Sequence, residues 1–87
     1  METEITSATE LKNLIQAGWE LWYMAHPRCY PLPGSWQMRY RIQIRHVNWG
    51  AIEKARRNLK WWDENTDEVE IGRNWCYRPK QKFLNIA

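Results

Sequence analysis

Between Trp36 and Val47 the chain alternates apolar and polar residues almost without a break. Trp36, Met38, Tyr40, Ile42 and Ile44 fall on one parity. Gln37, Arg39, Arg41, Gln43 and Arg45 fall on the other. A period of two over this length predicts a half-buried β-strand with one oily face and one face that carries three arginines. Whatever else the chain forms must cover the oily face.

The stretch 19–25, Trp-Glu-Leu-Trp-Tyr-Met-Ala, reads as a second strand that pairs with the first. With Ala25 opposite Trp36, the pairs Tyr23–Met38, Leu21–Tyr40 and Trp19–Ile42 are all apolar. On the other side Trp22 meets Arg39 and Glu20 meets Arg41, a cation–π pair and an ion pair. A slip of one residue sets arginines against the oily face, so the pattern resists it. The connection 26–35 holds three prolines and carries Arg28, Tyr30 and Leu32. A stiff loop loses little entropy on docking, which suits recognition; a plain extended connection fits the same residues.

Helices are expected on either side of this pair. Ser7-Ala8-Thr9-Glu10 fits a capping box, Leu11, Leu14 and Ile15 follow at helical spacing, and Gly18 offers a left-handed stop, which predicts a helix over 8–17. Asn48 is a good N-cap, and Trp49, Ile52, Ala55, Leu59 and Trp62 mark the buried stripe of a helix over 49–64. Alternation resumes over 69–77, a third strand that could join either edge. The expected fold is α+β in the order α-β-β-α-β. It is a small antiparallel sheet, a hairpin plus a third strand, with two helices packed on its apolar face. Residues 1–87 form one domain, with 1–6 a flexible lead-in and 78–87 a basic tail.

A core this small depends on large residues, and the chain supplies 7 Trp and 4 Tyr in 87 residues. That is more ring surface than such a core can hide, so one or two rings belong on the surface. Net charge is only +3, but it is unevenly spread. Residues 21–60 hold eight bases and one acid, Glu53, whereas 61–70 hold five acids and no base. Local fields of this kind select partners better than net charge does.

No catalytic or metal apparatus stands out. The only His and Cys are His26, Cys29, His46 and Cys76, and the paired strands would hold His26 and His46 far apart. Cys29 follows His26 by three but lacks an orienting partner or a glycine-rich turn for an oxyanion. The acids of 63–70 crowd one place rather than flank a cleft, and no phosphate-cradling glycine loop is present. Two cysteines do not make a secreted disulfide scaffold. No apolar run approaches the ~20 residues of a bilayer span, and the acidic N-terminus lacks a signal-peptide core. The reading is a soluble, cytoplasmic, non-catalytic binding protein with no cofactor, no metal and no membrane contact.

Its leading partner is nucleic acid or another polyanion. Successive residues on a strand face lie about 6.6–7 Å apart, close to the phosphate repeat, and Arg and Trp both stack on bases. The expected contact set is Trp22, Arg28, Tyr30, Arg39, Arg41, Arg45, Lys54, Arg57 and Lys60. The alternative is a protein-interaction module or inhibitor that blocks a larger protein, such as one that processes nucleic acid, or grips an acidic surface, because Trp, Tyr and Arg dominate interface hot spots. Small orphan domains of this kind are frequent in phages and mobile elements. A homo-oligomer, basic sheet against acidic helix end, is a third form of the same idea.

Overall fold

The computed structural model describes residues 4–28 and 34–84. The α+β class holds, and the sheet is larger than expected. The elements run α1 (Ala8–Gln16), β1 (Glu20–Met24), β2 (Ser35–Tyr40), β3 (Gln43–Val47), α2 (Trp49–Arg56), α3 (Leu59–Asn65), β4 (Thr66–Ile71), β5 (Asn74–Pro79) and α4 (Gln81–Leu84). Five antiparallel strands lie in the order β3-β2-β1-β5-β4.

Two of the expected single strands are hairpins. The stretch 36–47 turns back at Arg41-Ile42, with Tyr40 opposite Gln43. The stretch 69–77 turns back at Gly72-Arg73, with Ile71 opposite Asn74. Both turns place a residue at positive φ, Gly72 at +62° and Arg41 at +56°. Glycine does this freely, whereas an L side chain there costs about 1–2 kcal/mol.

The turn at Arg41 changes sidedness. Residues paired across a ladder share a face. Trp36, Met38 and Tyr40 pair with Val47, Arg45 and Gln43, so even residues of β2 and odd residues of β3 face the same way. Arg45 therefore joins the helix side, and Ile44 joins Arg39 on the other.

The β1–β2 pairing is displaced by two residues from the expected register. Leu21 faces Met38 and Tyr23 faces Trp36, so the faces are kept while the individual pairs change. Gly34, at φ +75°, donates its N–H to the Met24 carbonyl, and this closure sets Ser35 opposite Met24. β5 takes the other side of β1, with Leu21 opposite Tyr77 and Trp22 opposite Cys76.

α1 begins where the capping box predicts. The Ser7 hydroxyl accepts the Glu10 N–H at 3.4 Å, and Gly18, at φ +100°, ends the turn beyond it. The expected helix 49–64 breaks instead at Asn58, whose side chain accepts the Trp61 N–H at 3.2 Å and starts α3. Beyond the break the apolar stripe is out of phase, with Leu59 exposed and Trp62 buried; before it Ile52 and Ala55 are buried and Trp49, the first residue of α2, is exposed.

The core lies between these helices and one face of the sheet. Leu11, Ile15, Ala51, Ile52, Ala55 and Trp62 pack on Trp19, Leu21, Trp36, Met38, Val47 and Tyr77. Ile5 belongs to it too, so the expected flexible lead-in does not hold at this residue. Its N–H donates to the His46 carbonyl at 2.8 Å, its carbonyl accepts from Asn48 at 2.8 Å, and its side chain is fully buried. The basic tail is likewise structured up to Leu84, its first two residues inside β5. Among the described residues no helix is long and apolar enough to cross a membrane.

The turn can be tested through its strained residue. Arg41→Gly should raise stability by about 1 kcal/mol in chemical denaturation, because relief of the left-handed strain outweighs the added freedom of the unfolded chain. A loss of stability would mean that Arg41 does not hold positive φ.

Candidate functional site

The face of the sheet opposite α1–α3 carries Trp22 and Arg39, as the strand pattern predicts. The Arg39 guanidinium lies 5.0 Å from the centre of the Trp22 ring. Its other contacts are internal: the Gln37 carbonyl oxygen at 3.4 Å and the Met24 sulfur at 3.5 Å. Glu20 accepts from the Trp22 indole at 3.1 Å and pairs with Arg78 at 3.0 Å, in place of the expected Arg41. Arg39, Arg78 and Glu20 surround one half-buried ring on this face.

The three arginines do not form a row. Arg41 sits in the hairpin turn, its guanidinium 5.1 Å from the Tyr40 ring. Arg45 lies on the helix side, only 15% exposed, with its guanidinium 3.4 Å from the Glu10 carboxylate. The carboxylate expected to complete the capping box thus serves to bring an arginine against the core. The expected contiguous arginine face is replaced by three separate settings, and the cause is the parity exchange at the turn.

The remaining expected contacts are dispersed. Lys54, Arg57 and Lys60 are exposed on α2, the α2–α3 junction and α3. Arg56 and Arg57 line a shallow hollow of about 410 Å³ with Glu53, and Arg56 also lies 5.4 Å from the Tyr77 ring. Arg28 is exposed in the loop after β1, its N–H donating to the His26 ring nitrogen at 3.1 Å. Tyr30 and Cys29 fall outside the described residues.

A different cluster stands at the end of the sheet where β1 finishes and α2 begins. Trp49, the first residue of α2, is 54% exposed, and its ring centre lies 6.0 Å from that of Trp36. Trp36 is buried and in turn meets Tyr23 at 5.0 Å and Tyr77 at 6.0 Å. Trp75, 41% exposed, pairs with Tyr23 across β1 and β5. Two exposed indoles thus flank a set of packed rings on the helix side. The Trp49 N–H donates to Glu53 at 2.8 Å, which fixes that ring over Trp36. The sequence signal for Trp49 is its place directly after the N-cap, where a side chain hangs over the helix end, although its spacing to Ile52 also fits the top of a buried stripe.

Among the described residues no group of three His, Cys, Asp or Glu side chains is placed to hold a metal ion. Cys76 is buried between β1 and β4, its thiol pushed up to about 12, chiefly by burial and further by the Glu20 charge. Burial also raises Tyr77. Comparison with known protein families, curated proteins and solved structures returns no match.

The thiolate is the reactive form of cysteine, so this setting predicts an inert Cys76. In a Cys29→Ser protein at pH 8, a thiol reagent should leave Cys76 unlabelled for minutes in the native state and label it fully in denaturant. Rapid native labelling would contradict the burial of this strand.

Proposed function

We propose that this domain is a non-catalytic protein-interaction module that docks a partner protein on the ring cluster at the β1–α2 end of the sheet. The observation that carries this reading is the pair of exposed indoles, Trp49 packed on Trp36 and Trp75 across the ladder from Tyr23. Rigid rings lose little conformational entropy on binding, and indoles in packed surroundings are the residues that dominate interface hot spots. The sheet arginines support the same choice. Arg39, Arg45 and Arg78 each have internal partners, so a polyanion laid across the sheet would have to compete with Glu20 or Glu10 or with the Trp22 stack.

A second reading, polyanion binding, has its own support on α2 and α3. Lys54, Arg56, Arg57 and Lys60 fall within one short segment, with Glu53 its only acid. On this reading the contact surface is the α2–α3 junction rather than the sheet.

Cross-linking in the native host, followed by binding measurements on the purified pair, separates the two. The module reading expects one dominant partner protein and a loss of tenfold or more in affinity for Trp49→Ala or Trp75→Ala, about 1.4 kcal/mol. It expects Arg39→Gln to cost less than threefold. The contrary result is retention of short single-stranded DNA or RNA with no protein partner. Its affinity would fall with salt at a log–log slope of about −0.7 per contact, and Lys54→Glu with Arg57→Glu would abolish it.

A further inference from the structure

The two edges of the sheet are treated differently by the sequence. β4 carries Asp67, Glu68 and Glu70, and charge along an edge is a known guard against strand addition. β3 has no acid. Its upper half is covered instead by Ile5, which takes the outward carbonyl of His46 and the outward N–H of Asn48. Backbone direction alternates along a strand, so the N–H and C=O of Ile44 point outward as well. Among the described residues nothing pairs with them. Beside this open stretch stand two isoleucines, Ile42 at 96% and Ile44 at 55% exposure.

A cleft runs along the same edge. It measures about 450 Å³ and is lined by Leu14 of α1, by Trp19, and by Gln43, Ile44 and Arg45 of β3. That volume lies in the range of about 300–1,000 Å³ usual for binding pockets. Arg45, the one charged residue of the lining, is paired with Glu10, and the exposed Arg41 lies over Tyr40, whose ring stacks on Trp19 at 5.7 Å.

We infer that this edge accepts an extended acidic segment of a partner protein as a sixth strand. Open backbone groups supply the main-chain bonds and a pocket beside them supplies selection, the general form of strand addition. The added segment pairs with Ile44, places a large apolar side chain in the cleft against Leu14 and Trp19, and sets an acidic side chain near Arg41. The inference rests on the protein-interaction reading but uses a surface apart from Trp49 and Trp75.

The test is selection from a displayed library of random 12-residue peptides on the folded chain, with binding then mapped by backbone amide shifts. The expected consensus alternates apolar and acidic residues, and the shifts centre on 42–46 and Leu14. Ile44→Pro removes the outward N–H at an edge position where proline is tolerated, and should weaken the selected peptides tenfold or more. Arg41→Glu leaves the edge backbone intact and should weaken them at least threefold, so the outcome does not hang on one variant. Peptides that map to Trp49 and Trp75 would overturn the inference while upholding the interaction reading. Basic or uncharged consensus peptides, or binding untouched by both variants, would also overturn it. So would concentration-dependent self-association lost in Ile44→Pro, which would assign the edge to a second copy.

Discussion

Side chains on a strand alternate, and a two-residue turn exchanges the parity that faces the core. The placement of every side chain of β3 follows from that exchange at Arg41-Ile42. Before the turn, even residues meet the helices; after it, odd residues do. Arg45 is thereby carried onto the covered side, where its pairing with Glu10 helps make its burial tolerable. Ile44 is carried onto the uncovered side, and Ile42 is left on the turn itself. One strained residue decides where an arginine and two isoleucines lie.

The second organising feature is the ring contact of Trp36. It links β2 to β1 through Tyr23, to β5 through Tyr77 and to α2 through Trp49. Trp62 meets Tyr77 edge-on at 5.3 Å and extends the packing to α3. Aromatic pairs contribute about 0.5–1.5 kcal/mol beyond their burial, and together they bind three strands and two helices into one unit. The cluster emerges at Trp49, whose ring is held by Trp36 and Glu53, and Trp75 stands beside it in the row Trp36–Tyr23–Trp75. The charges work the other way. Glu10, Glu20 and Asp67 each hold a base of this chain, so much of the sheet's positive charge is spent internally.

The class of the fold, the first helix with its cap and stop, and the stacking of Arg39 on Trp22 were legible in the residues. They depend on local rules: a serine three residues before a glutamate, a glycine at a left-handed stop, alternation along one strand. The hairpin turns were not legible for a physical reason. Arg41-Ile42 has none of the glycine or asparagine that announces such a turn, and unbroken alternation looks the same whether the chain continues or reverses. Gly72 does stand at its turn, but a lone glycine in an alternating stretch fits a bulge as well as a reversal. The break at Asn58 was hidden similarly, since Leu59 and Trp62 keep helical spacing across it. The reversal at Arg41 accounts for Arg45, which moved with the parity, and the break at Asn58 for Leu59, which moved with the helix phase; Trp49 lies outside the core because it is the first residue of α2.

The most direct test of this account is the set of cross-strand proton contacts on either side of Arg41. In the hairpin, Arg39–Ile44 and Gln37–His46 are pairs whose backbones approach closest, so nuclear Overhauser effects should join their α-protons. Absence of both, with Trp19 instead in contact with Ile42 as one continuous strand requires, would contradict the exchange of faces on which the structure and both proposed surfaces depend.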